Sequence, residues 1–158
     1  MALNSEERGV LAKAFQEAMP TIEAMVHVYC DKAGAPERFG LAVFDATGAG
    51  SEYEAAGDVQ ARKIAEHRIT VADWGERNFI ETAGRKTRGA LRLNRDSGDV
   101  LRNAKELFQE GDAPNPGACL GDVDGKAICV ATSGLRGTED EPFAHLVIEL
   151  MKRLTTAA

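Results

Sequence analysis

Gly117-Ala118-Cys119-Leu120-Gly121-Asp122-Val123-Asp124-Gly125-Lys126-Ala127-Ile128-Cys129-Val130-Ala131-Thr132-Ser133-Gly134-Leu135 is the stretch that decides the fold of this chain. Asp124-Gly125 lies between two apolar runs. A two-residue type I′ turn needs positive φ at both central positions, and Asp followed by Gly adopts them at little cost. Two antiparallel strands are therefore predicted on either side of residue 124. The second, Ala127 to Thr132, breaks at Ser133-Gly134, and the acids Glu139, Asp140 and Glu141 follow. Phe143, Leu146, Val147, Leu150, Met151 and Leu154 then recur as one helical face. The order is strand, glycine-bearing loop, helix.

Working outward, Ser5 followed by Glu6 and Glu7 reads as a helix start, with Val10, Leu11, Ala14, Phe15 and Ala18 at helical spacing to about residue 19. Pro20 breaks or kinks this helix. Ile22, Met25, Val26 and Tyr29 restart the period until Ala33-Gly34-Ala35-Pro36 closes a second helix. Phe39 to Asp45 is a short apolar strand, 46–51 a turn, and 51–56 its expected hairpin partner. Asp58 caps a predicted central helix in which Ala61, Ile64, Ala65, Ile69 and Ala72 form an apolar stripe beside Arg62, Lys63, Glu66 and Arg68. Val100 to Phe108 reads as another short helix, and 111–117 as a loop held by two prolines. The sum is an α/β (α+β) single domain over 1–158, with a helical N-terminal segment 5–33 and a core 36–154. An antiparallel sheet of about five strands carries helices packed on it.

With 158 residues, 44% hydrophobic and 28% charged, the chain fits one hydrophobic core. Its formal net charge of −6 argues against nucleic acid and against an anionic membrane surface, both of which call for a basic face. No apolar run approaches the ~20 residues that span a bilayer, and the first residues lack a basic n-region and an apolar h-region, so a cytoplasmic location is expected. Cys30, Cys119 and Cys129 form neither CxxC nor a zinc spacing and are expected to be reduced fillers of the core. Their offsets from the Asp-Gly turn place Cys119 and Cys129 near each other across the hairpin.

Arg77, Arg85, Lys86, Arg88, Arg92 and Arg95 make 75–95 the basic region of an acidic chain. Its two readings are a solvated face and a site for an anion or carboxylate, with Glu76, Glu81 and Asp96 diluting the field. His27 lies one helical turn before Cys30, and an imidazole there is able to ligate haem iron or another metal. A lone helical histidine is more often structural, and the same holds for His145. Ser133 at a strand-to-helix turn is a nucleophile candidate, but residues 131–135 read Ala-Thr-Ser-Gly-Leu, not Gly-x-Ser-x-Gly, which argues against hydrolysis. Binding suits this loop better: Gly134 and Gly137 let backbone approach a ligand, and a helix start holds anions. Glu139, Asp140 and Glu141 already sit at that positive end, and Thr138 with Glu141 reads as a capping box.

Three segments together resemble the GlcG/HbpS-like haem-degrading family, which is related to the C-terminal domain of the PduO corrinoid adenosyltransferase. They are the strand Gly40-Leu41-Ala42-Val43-Phe44-Asp45-Ala46-Thr47-Gly48, the predicted helix with Ala61-Arg62-Lys63, and the late hairpin with Ser133-Gly134 and Glu139-Asp140. The resemblance spans roughly residues 36–154. It implies a profilin-like/GlcG-like fold, a homo-oligomer, and a pocket between the central helix and neighbouring loops. The implied function is binding of haem or a related tetrapyrrole, with haem degradation as a further activity. Carried onto this chain, the cofactor-binding residues are Arg62 and Lys63 for carboxylates or phosphates, with Ser133 and Gly134 in the loop. His67, one turn after Lys63 on the predicted helix, is the candidate iron ligand, with His27 the lesser one. The reading from a different class is a non-catalytic small-molecule sensor or assembly module. An enzyme acting on a small organic acid has the least residue-level support.

Overall fold

Asn4 starts the first helix: its side chain accepts from Glu7 N at 2.8 Å while Glu7 Oε1 accepts from Asn4 N at 3.0 Å. The computed structural model describes residues 2–50 and 59–156. Helix α1 (Ser5–Ala33) runs unbroken to a left-handed Gly34, so the expected pair of helices around Pro20 is one helix. Proline removes one backbone donor and costs about 3 kcal/mol inside a helix. Here Pro20 and Gln16, whose carbonyl loses that donor, are exposed, so water replaces the missing bond. On the opposite face Leu11, Phe15, Met19, Ile22 and Val26 are buried, and that continuous stripe carries the helix past Pro20.

Strand β1 (Arg38–Asp45) is nearly all buried, as suits a central strand. After the 3₁₀ turn Val59–Arg62, β2 (Lys63–Thr70) pairs with it antiparallel. The predicted central helix over these residues is therefore corrected to a strand. Its apolar residues Ala65 and Ile69 alternate with a histidine at the inward position between them, opposite Val43, Phe39 and Leu41 respectively. That His67 hid the period of two. Ile64 is the extra residue where the register shifts between Val43 and Phe44. The expected strand over 51–56 and the Asp58 cap lie outside the described residues.

Helix α2 (Phe79–Leu93) is capped by Asn78, whose side chain accepts from Glu81 N at 3.0 Å, and ends at a left-handed Asn94. Helix α3 (Ser97–Asn103) and the 3₁₀ turn Lys105–Leu107 take the place of the single helix expected over 100–108. The late hairpin forms as read: β3 (Ala118–Val123) and β4 (Lys126–Ser133) join through Asp124 at φ 52° and Gly125 at φ 74°. Helix α4 (Gly137–Thr156) follows.

Among the described residues the sheet has four antiparallel strands, not five, in the order β2-β1-β4-β3. Helices α1 and α4 cover one face with Phe39, Leu41, Val43, Val130 and Cys119 beneath them. Helix α2 lies on the other, over Ala42, Phe44, Ala131 and Cys129. Cys119 and Cys129 therefore point to opposite faces. In the ladder Cys119 opposes Val130 and Leu120 opposes Cys129, so the expected meeting of the two thiols is corrected by one residue of register. All three cysteines are free and buried. Among the described residues no helix is long and apolar enough to cross a membrane.

Candidate functional site

The sheet separates the residues singled out by sequence. Lys63 opposes Phe44 at one end of β1, whereas Ser133 opposes Gly40 at the other. Four residue steps along the strand, roughly 13 Å, separate them. Arg62 donates to the carbonyls of Asp45 and Thr47 at 3.1 and 2.8 Å, and Lys63 pairs with Glu66 at 2.7 Å. His67 faces α1, where its Nε2 lies 2.5 Å from Glu23 Oε1. His27 is on the exposed side of α1 with Nδ1 2.6 Å from Glu37 Oε1. Each of these side chains has a partner within the chain, and they do not converge.

The Arg-Lys pair on a helix is Arg85-Lys86 of α2, and the structure commits most of this basic region internally. Arg92 holds the buried Asp112 carboxylate through Nη1 and Nη2 at 3.0 and 2.7 Å, and Arg88 Nε stands 3.7 Å from it. Arg85 donates to the carbonyls of Gly111 and Asp112, and Arg95 pairs with Asp99 at 2.7 Å. Lys86, 2% exposed, reaches Thr132 O at 2.7 Å and Asp140 Oδ2 at 3.1 Å. Burial pulls the Lys86 ammonium down from its ordinary range and pushes the Asp140 carboxyl up, each opposed by the other's charge. The pair ties α2, β4 and the start of α4 together. Asp140 Oδ1 also accepts from Leu135 N at 3.1 Å, fixing the loop after Ser133. Thr138 bonds Glu139 at 2.6 Å, so the expected Thr138–Glu141 capping box is not formed. Helix α4 already begins at Gly137, which places Thr138 inside its first turn.

Arg38, Arg77 and Arg136 are not committed in this way. At the Ser133 end of the sheet a cleft of about 260 Å³ is lined by Tyr29, Pro36, Arg38, Arg77, Gly134 and Arg136, among others. The guanidinium groups of Arg77 and Arg136 have no hydrogen-bond or carboxylate partner among the described residues. Arg38 donates only to Asp73 O, at a long 3.4 Å, and its buried Nε has no partner. Arg38 and Arg77 both lie over the Phe79 ring, at 5.5 and 4.7 Å from its centroid. Two like charges over one ring repel, and an anion between them relieves that repulsion.

Backbone geometry opens the cleft. Gly134 has φ +125°, and a Cβ there would sit 2.9 Å from Arg38 O. Burial pushes the Tyr29 phenol above its ordinary value, with Glu139 adding to the shift and Arg136 opposing it, so Tyr29 keeps its proton as a donor. A second groove of about 570 Å³ runs on from Arg77 past Trp74, Thr70, Val71 and Arg68. Trp74 packs edge-to-face on Phe79 at 4.9 Å, and Arg68 lies 5.1 Å over its indole. Of the residues expected from sequence, Gly134 lines the cleft and Ser133 ends the strand beneath it. Arg38, Arg77 and Arg136 were not assigned there, because the start of β1 and the loops before α2 and α4 converge only in space. The legible signal was a loop arginine close to glycine, Arg77 after Gly75 and Arg136 between Gly134 and Gly137.

A four-stranded antiparallel sheet between α1/α4 and α2 is the GlcG/HbpS-like fold. A double mutant of HbpS from Streptomyces reticuli superimposes with a TM-score of 0.57 at 17% identity, over 95% of this chain and 87% of that one. The Klebsiella pneumoniae protein ORFY, of the DUF336 family, gives 0.55 at 12% identity over 85% and 88%. PduOC in complex with haem gives 0.54 at 15% identity over 95% of both chains. The sequence matches no family model and no curated protein.

Proposed function

We propose that this protein binds a carboxylate-bearing tetrapyrrole, haem first among them, through the cleft of Arg38, Arg77 and Arg136. The observation that supports this reading most directly is the set of three guanidinium groups around one cleft, none with a carboxylate partner among the described residues. Guanidinium is suited to carboxylates because its donors match the two oxygens in one plane. Tyr29 adds a neutral donor. The similarly folded PduOC binds haem. In this reading the arginines grip the propionates and the macrocycle lies along Trp74 and Val71.

About 260 Å³ falls short of the ~300–1,000 Å³ of an enclosed ligand pocket. A second copy of the chain closing over the exposed Val71 completes the enclosure, as a homo-oligomer would. No histidine lines the cleft, so recognition rests on the carboxylates more than on the iron.

Haem titration followed by absorption, with native mass for stoichiometry, tests the reading. Haem and metal-free protoporphyrin are expected to bind with similar affinity, and the dimethyl ester of haem at least 10-fold more weakly. Equal binding of acid and ester would overturn it. Loss of binding in His67→Ala would return the site to the iron ligand expected from sequence. Added reductant and oxygen report degradation as loss of the haem band. The size of the cleft also favours a second reading, a non-catalytic sensor of a small organic anion. Saturable binding of a dicarboxylic acid without haem binding would establish that one instead.

A further inference from the structure

Away from the cleft, Asp96, Cys119, Glu141 and His145 bring one ligand atom each to within 4.8 Å of one another. They come from three elements: the N-cap of α3, strand β3, and successive turns of α4. His145 Nε2 lies 3.7 Å from Asp96 Oδ2 and 4.0 Å from Glu141 Oε1. A tetrahedral zinc with arms of about 2.0–2.3 Å sets its ligands about 3.4–3.7 Å apart, so small rotamer changes close this group around an ion. We propose that these four side chains form a binding site for a zinc-like divalent cation.

Ordinary structural roles do not account for the arrangement. Asp96 is the N-cap of α3, yet its side chain makes no capping bond. Instead Oδ1 accepts from Leu120 N at 2.9 Å, which leaves Oδ2 turned toward His145. Arg102 donates to both Glu141 oxygens, at 2.9 and 3.1 Å, as an outer partner that orients a ligating carboxylate. Gly98 leaves room for this pair as it stands, since a Cβ there would meet the ends of the Glu141 and Arg102 side chains. Cys119 Sγ, fully buried, has only a weak contact of 3.9 Å to Glu141 O. His145 is half exposed with no hydrogen bond, which leaves an entry path.

The donor set selects the ion. Sulfur and imidazole beside two carboxylates suit zinc, whereas calcium and magnesium take oxygen alone. On binding, the Cys119 S–H bond breaks, its proton leaves to solvent and its electron pair goes to the metal. Two carboxylates and one thiolate then carry three negative charges, balanced by Arg102 and a divalent ion.

The experiment uses the untagged full chain. After dialysis against zinc sulfate and then buffer, one zinc per chain is expected. The cobalt(II) form is expected to show a thiolate-to-metal charge-transfer band that Cys119→Ser abolishes while Cys30 and Cys129 remain. His145→Ala, a change at an exposed side chain that leaves the fold intact, is expected to weaken zinc at least 10-fold. Absence of stoichiometric zinc, or a cobalt spectrum that Cys119→Ser leaves unchanged, would overturn the site. It stands apart from the tetrapyrrole reading: a chain that binds haem but no zinc sinks this proposal alone.

Discussion

Two groups of arginines divide the basic side chains of this acidic protein between opposite uses. Arg85, Arg88 and Arg92 on α2 face a buried acid and the carbonyls of 107–112, and they staple that loop to the helix. Arg38, Arg77 and Arg136 sit at the Ser133 end of the sheet with no acid to meet among the described residues. Residue type and formal charge are the same in both. What differs is whether the fold supplies the anion, and where it does not, a ligand has the opportunity to. Buried and paired, an arginine is part of the architecture; left over a ring at a cleft mouth, it is an offer to a ligand.

The sharpest way to break this comparison is to remove the internal anion. Asp112→Ala leaves Arg92 and Arg88 facing an empty buried position, and a loss of about 3–5 kcal/mol is expected in urea unfolding. An unchanged midpoint would mean that the staple is ornamental. Gly134→Ala strains a residue at φ +125° against Arg38 O, and should cost about 1–3 kcal/mol of stability together with binding at the cleft. Arg77→Ala and Arg136→Ala should do the reverse of Asp112→Ala. Stability is expected to move by no more than about 0.5 kcal/mol. Haem affinity, by contrast, is expected to fall about tenfold, roughly 1.4 kcal/mol.

Asp45 supplies the smallest test. Burial pushes its carboxyl up, but hydrogen bonds from Thr47 and Leu3, with the Arg62 charge, outweigh that and hold it below 3.8. Its stabilisation is thus complete above pH 3.8 and is lost as the pH falls through the lower folded value. Asp45→Asn is expected to cost about 1 kcal/mol at neutral pH and to flatten the acid limb of a stability profile. The ligand-free arginines should leave that limb untouched.

The strands and helices most legible in the sequence were those whose signal is local. Asp124-Gly125 dictates its turn through backbone conformation, and the α4 stripe from Phe143 to Leu154 repeats over about three turns. Pro20 misled because the packing that overrides it comes from α4 and β2, far along the chain. The 63–70 segment misled because an inward-facing histidine, satisfied by Glu23 from another element, looks polar to any count of apolar residues. The site was less legible still. Arg38, Arg77 and Arg136 lie far apart in sequence, and only the sheet order brings their elements to one end. Gly134 and Ser133 were singled out in the sequence because glycine at a loop carries its own conformational reason.

Trp74, the single tryptophan of the chain, lies on the wall of the groove that continues the cleft, 8% exposed and packed edge-to-face against Phe79. Its indole Nε1 is tied to Ile69 O at 2.9 Å, so its orientation is fixed to the sheet. The protein therefore carries a built-in fluorophore at the place where a ligand is proposed to sit. A haem in that groove would drain its emission by energy transfer, whereas a metal bound at Cys119 should leave it alight. One ultraviolet lamp then reports whether the haem site is filled, whatever the state of the metal site, with no label attached.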